Sequence, residues 1–283
     1  MTTTEGFIDA GKGKVWYEIV GEGNKTPIIV IHGGPAYPHD YLEPFRDLAN
    51  DRQVVFYDQL GCGNSEWTTD KSAFTLDYYT GELETLIKHL GFKEYIILGQ
   101  SWGTTIAANF AIKNPPGLKL LILANPFLDI PLWTKQIKEI INTFPESVQK
   151  GLKQPEESEE YKNAMGEFLE KYLYGVKDLP TAVLKSEHKM NPEVEKIMFG
   201  PNFFEPNGPS ANISLSNKLK DINVPTLLFC GRIDETTPEA TEYFTTLIPD
   251  SRMRIFENSA HFPFWTEREE CINFIREFIN ENE

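Results

Sequence analysis

The chain is short of several things, and each shortage removes a class of function. It holds only three cysteines, Cys62, Cys230 and Cys271, an odd number at wide spacings that match neither a metal-ligand nor a redox pattern. They are expected to be reduced thiols packed in the core. Basic residues are scarce, with 27 Lys and Arg against 42 Asp and Glu, a formal charge of −15. Nucleic acid and anionic membrane surfaces attract proteins through basic stripes, so neither is an expected partner. No apolar run approaches the roughly 20 residues a membrane helix needs. The first ten residues contain neither a basic nor an apolar signal segment, and the expectation is a cytoplasmic protein. Internal repeats and long low-complexity tracts are also missing, and no motif calls for a metal or cofactor.

What remains is an ordinary globular composition, 40% hydrophobic and 24% charged over 283 residues. That length suits one α/β domain carrying an insertion. Apolar runs at 14–20, 27–31, 54–57, 95–98, 118–124, 225–230 and 252–256 read as strands, several without polar alternation and so buried on both faces. Between 75 and 90, Tyr79, Leu83, Leu86 and Leu90 recur at helical spacing, and Gly91 stops the run. Strand and helix alternate, which predicts a mostly parallel twisted sheet with crossover helices on both faces. From about 128 to 220 the texture changes to amphipathic pieces at 133–144, 161–174 and 192–198, broken by charged and proline-rich loops. We expect a helical cap there, inserted into a core built from 1–127 and 221–283.

Three stretches carry chemistry. The run Tyr95–Leu98 leads into Gly99, Gln100, Ser101, Trp102, Gly103 and then a small-residue helix. This is a G-x-S-x-G turn between strand and helix, which lifts a serine hydroxyl above the sheet edge with a helix dipole aimed at it. After the strand at 27–31 come His32, Gly33, Gly34 and Pro35, where two glycines let a backbone N–H turn toward a reacting carbonyl oxygen. A serine needs a base, and the base needs a carboxylate to hold its tautomer. In the order expected for this kind of turn, serine then acid then histidine, Asp234 follows the strand at 226–230 and His261 follows the strand at 252–256. The place after strand 118–124, where an acid could also stand, holds Asn125.

Taken together, His32–Pro35, Asp58–Gly63, Gly99–Gly103, Gly231 with Asp234 and Glu235, and His261 resemble the proline iminopeptidases of the α/β-hydrolase fold over nearly the whole chain. The resemblance implies a cofactor-free serine hydrolase that removes an N-terminal residue, often proline, from short peptides. It implies Ser101 as nucleophile, His261 as base and Asp234 as its partner, with the N–H groups of Gly34 and Trp102 as oxyanion hole and Gly33 beside the substrate. Such enzymes hold the substrate's free amino group with two glutamates. Glu235 matches the first. The second falls in a stretch reading Gly200, Pro201, Asn202, Phe203, Phe204, so the ring of Phe203 stands where a carboxylate is expected. Glu205, two residues on, is the candidate replacement. Without it, small apolar or N-blocked esters, lactones and amides form the alternative substrate class.

Overall fold

The computed structural model describes residues 2–68 and 70–283. Eight strands form one sheet: β1 (Thr3–Asp9), β2 (Lys14–Val20), β3 (Lys25–Ile31), β4 (Arg52–Tyr57), β5 (Tyr95–Gln100), β6 (Leu118–Ala124), β7 (Thr226–Gly231) and β8 (Ser251–Phe256). Their order is β1-β2-β4-β3-β5-β6-β7-β8. β1 and β2 pair antiparallel and β2 meets β4 antiparallel, while every pair from β4 to β8 is parallel. Crossover helices return the chain between the parallel strands, as right-handed α/β topology requires.

The absence of polar alternation in the central strands has a direct structural cause, because successive side chains leave opposite faces into two separate cores. In β3, Ile29 and Ile31 enter one core, which includes Leu83 and Leu86 of α1 (Leu76–Leu90) and Ile106 and Ala107 of α2 (Trp102–Ala111). Ile28 and Val30 enter the other, with Leu42 and Phe45 of a 3₁₀ segment (His39–Leu48) and, near the C-terminus, Ile272, Ile275 and Phe278. The Thr75 side chain accepts from Tyr78 N–H at the start of α1, and Gly91 ends it at φ +70°, the left-handed cap expected from the sequence.

Between β6 and β7 lie α3 (Ile130–Ile141), α4 (Glu146–Gly151), α5 (Glu159–Phe168), which runs into a wider π-helical turn (Leu169–Tyr174), then α6 (Thr181–Lys189) and α7 (Pro192–Phe199). After β7 come α8 (Pro238–Leu247), β8, the short α9 (Pro263–Thr266) and α10 (Arg268–Asn282). No extended strand interrupts the inserted helices among the described residues; only an isolated bridge joins Asp129 and Ser214.

Among the elements missing from the sequence expectation are β1 and α6. β1 buries only Ile8 well and holds its place by pairing with β2 along seven residues, so it carries almost no hydrophobic pattern. In α6 only Val183 and Ser186 are buried. That helix is tied to the core by polar contacts: Ser186 Oγ donates to Pro38 O at 2.8 Å and accepts from Tyr41 N at 2.9 Å, and Lys189 pairs with Asp40 at 3.0 Å. Such an anchor leaves no apolar period to read. All three cysteines are free and buried, as expected. None of the helices among the described residues is long and apolar enough to cross a membrane.

Candidate active site

Ser101 sits between β5 and α2 at φ +53°, ψ −122°, a region that side chains rarely occupy and that persists only where surrounding structure enforces it. The enforcement is visible: Ser101 N donates to Ala124 O at 2.9 Å, and Thr104 N donates to Ser101 O at 2.8 Å. A methyl group at Gly103 would strike the carbonyls of Ile31 and His32, and one at Gly99 would strike the backbone of Gly103. The two glycines of the motif therefore let β5, β3 and α2 close around the turn.

His261 and Asp234 arrive from different loops and meet at Nδ1···Oδ1 2.6 Å, both buried. Asp234 is surrounded by donors. Its Oδ1 also accepts from the N–H of Thr236 at 2.9 Å and the hydroxyl of Thr236 at 3.0 Å, and its Oδ2 accepts from Asn125 Nδ2 at 2.6 Å. Burial alone would raise its pKa, yet the His261 charge and these hydrogen bonds hold the carboxyl below the ordinary range. His261 is the mirror case. Burial pulls the ring's pKa down, but the charge and hydrogen bond of Asp234, with Glu235 adding to them, keep it above the usual imidazole value. With Nδ1 committed to Asp234, Nε2 is the nitrogen left for proton transfer.

The Gly33–Gly34 turn is held by a buried polar lattice. His32 Nε2 accepts from Gln59 N at 2.9 Å, so Nδ1 carries the proton toward Gly33 O at 2.9 Å. Burial lowers this ring's pKa to about 4, which keeps it neutral. Gln59 ties the turn to α2: its Nε2 donates to His32 O at 2.8 Å, and its Oε1 accepts from the Trp102 indole at 3.2 Å. Gly34 takes φ +109°, which glycine reaches without strain. Neither its N–H nor that of Trp102, the first residue of α2, donates to another group among the described residues. Two free N–H groups at a helix start and an adjoining turn suit a developing oxyanion.

A cavity of about 300 Å³ adjoins these groups, lined in part by Gly34, Gln100, Ser101, Phe203, Glu235 and His261. Phe203 thus reaches the cavity wall, stacked near Phe199 at 6.1 Å and edge-on to Trp133 at 5.2 Å between ring centroids. Glu235 is buried, its Oε1 3.9 Å from His261 Nε2, and burial pushes its carboxyl up to about 7. Two expectations need correction. Glu205 does not line the cavity; its side chain is 64% exposed and pairs with Lys138 at 3.5 Å, because the loop after α7 turns it outward to solvent. Gly33 does not line it either, since its N–H is spent on the Tyr41 hydroxyl at 2.8 Å and its carbonyl on His32; it supports Gly34.

Sequence reasoning passed over three residues. Asn125, read only as the absence of an acid, is the donor to Asp234. Its position after β6 was the available signal. Tyr41 donates to Gln100 Oε1 while accepting from Gly33, and Gln59 bridges the turn after β3 to Trp102; no spacing rule would have found either contact.

The α/beta hydrolase fold family model matches residues 26–268 of the chain. The chain is 39% identical to a proline iminopeptidase of Heyndrickxia coagulans across 98% of this chain and 99% of that protein. Among solved structures it is similar to the proline iminopeptidase of Mycobacterium smegmatis, with 28% identity, a TM-score of 0.92 and coverage of 99% and 98%. It is similar also to VinJ, with 30% identity, a TM-score of 0.95 and coverage of 99% of both chains.

Proposed function

The chain belongs to the proline iminopeptidases, serine hydrolases of the α/β-hydrolase fold, and we propose that it releases N-terminal proline from short peptides through an acyl-enzyme at Ser101. The observation that carries the residue assignment is the buried Asp234–His261 pair, opening beside a strained Ser101 into one cavity.

In this reading Ser101 Oγ attacks the carbonyl carbon of the first residue as His261 Nε2 takes its proton. The negative charge moves to the carbonyl oxygen, where the Gly34 and Trp102 N–H groups meet it. Asp234, kept ionised by its donors, stabilises the imidazolium without taking the proton. Collapse breaks the C–N bond, His261 protonates the leaving amine, and the shortened peptide departs. Water then attacks the ester by the same route in reverse, freeing the amino acid and restoring Ser101. Residues 128–220 act as the cap that closes this cavity over the core of 1–127 and 221–283. We place the activity in the cytoplasm, a reading in keeping with three buried, unbridged thiols.

One observation favours a second reading. Phe203 makes part of the cavity wall apolar, which suits small esters, lactones or N-blocked amides. A side-by-side assay of a prolyl arylamide, its N-acetylated form and a short-chain aryl ester decides between them. The aminopeptidase reading expects the unblocked arylamide to be preferred; turnover of the ester and blocked amide alone would replace it. Labelling by a fluorophosphonate should be lost in Ser101→Ala, and a folded Ser101→Ala that still turns over would remove the nucleophile assignment.

A further inference from the structure

The cavity beside Ser101 carries more negative charge than acyl transfer uses. Four glutamates line it: Glu156, Glu187, Glu195 and Glu235. Two of them have partners. Glu187 accepts from the Tyr37 hydroxyl at 2.8 Å and from the Tyr174 hydroxyl, and Glu156 pairs with Lys196 at 3.5 Å. The other two lack an adequate one. Glu235 is 5% exposed, and its Oε2 is fully enclosed with no hydrogen-bond partner. Glu195, half-buried on α7, has no hydrogen bond or ion pair among the described residues.

A carboxylate in an apolar enclosure is costly unless a cation or donors meet it. No group of three or more His, Cys, Asp or Glu side chains among the described residues is arranged to hold a metal ion. The rest of the wall includes Met165, Leu169, Phe203 and Phe262, which suits a compact organic cation. We propose that Glu195 of the inserted helices and Glu235 of the core together hold the substrate's free amino group, with Glu195 supplying the carboxylate that Phe203 does not. A protonated N-terminal proline has two N–H donors on one nitrogen, and two carboxylates from two sides offer one acceptor to each.

The electrostatics of the empty cavity agree. Burial, with the neighbouring charges of Glu156, Glu235 and Glu187, pushes the Glu195 carboxyl up to about 7 despite Lys196, and Glu235 stands at a similar value. Such a pair shares protons near neutrality until a cation replaces them. Phe203, locked among Phe199, Trp133 and Phe204, then serves as the apolar face against which the substrate ring rests.

The inference rests on the aminopeptidase reading, and the test separates the two. kcat/KM is measured for L-prolyl arylamide and N-acetyl-prolyl arylamide with the wild type, Glu195→Gln, and Glu195→Gln combined with Phe203→Glu. Both substrates use the same nucleophile and base, so their ratio cancels damage to the triad or the fold. Glu195→Gln should lower the unblocked-to-blocked ratio by about tenfold or more, the scale of a charge-assisted hydrogen bond. Restoring a carboxylate at 203 should recover part of the loss. A Glu195→Gln enzyme that keeps the wild-type ratio overturns the proposal while the aminopeptidase reading stands. A wild-type ratio near one removes that reading and the proposal with it.

Discussion

Two histidines in this molecule hold a buried aspartate through Nδ1, and only one is placed to act as a base. His261 meets Asp234 at 2.6 Å, and His39 meets Asp58 at 2.7 Å. Both rings are buried and both have a raised pKa, because the aspartate's pull outweighs the burial that would lower it. Both aspartates are held below the usual carboxylate range. The contrast lies in what each ring borders. His39 Nε2 faces Glu18 at 3.5 Å, and its ring packs on Trp16 at 4.6 Å, away from the cavity that exposes Ser101. His261 Nε2 also has a carboxylate near it, Glu235 at 3.9 Å, but its ring lines the cavity that exposes Ser101. A His–Asp pair is therefore a structural clasp or a proton relay according to whether its ring borders the cavity that holds the serine. Distance and pKa do not tell the two apart.

Substitution of the partners should break this comparison most widely. Asp234→Asn is expected to lower kcat/KM by about 10⁴ by allowing the wrong imidazole tautomer, and His261→Ala by at least about 10³. His39→Ala should stay within a few-fold of wild type in the same steady-state assay. A large catalytic loss from His39→Ala in a folded enzyme would erase the distinction.

A finer cut concerns Asn125, which donates to Asp234 and sits at φ +55°. Asn125→Gly keeps that backbone conformation without strain and removes only the amide. Loss of one hydrogen bond to a charged group, about 1.5–3 kcal/mol, predicts a fall in kcat/KM of roughly tenfold or more. An unchanged rate would mean that Thr236 alone suffices to hold Asp234.

The smallest effect expected is on stability. A histidine with a raised folded pKa contributes stability that is complete below its unfolded value near ~6.5 and fades as pH rises through the folded value. Asp58, with a lowered pKa, contributes above its unfolded value near ~3.9 and loses this as pH falls through the folded one. The pair should therefore stabilise most between about pH 4 and 6.5. The Tm deficit of His39→Gln should be largest in that window and shrink at higher pH. A deficit that grows toward alkaline pH would show that His39 is not protonated in the clasp.

The same contrast explains how much could be read in advance. The serine turn, its flanking glycines, the Gly33–Gly34 turn and the order of Ser101, Asp234 and His261 are local: each depends on a few neighbouring residues meeting a backbone demand. His39 and Asp58 lie 19 residues apart, yet nothing in their spacing marks them as a pair. Asn125 looked like a vacancy and is a donor; Glu205 looked like an anchor and points to solvent beside Lys138. β1 and α6 went unread because strand pairing and polar anchoring hold them without a hydrophobic period.

By itself, the sequence determined the alternating parallel architecture, the inserted helices and the identity of the candidate triad, because hydrophobic period, turn glycines and chain order act over short range. Tertiary structure alone decided which carboxylates enter the cavity and which histidine lines it beside Ser101. Those outcomes depend on where helices from distant segments come to rest. Burial then makes the result matter: within an enclosed space a missing partner is costly, whereas in solvent water would supply one.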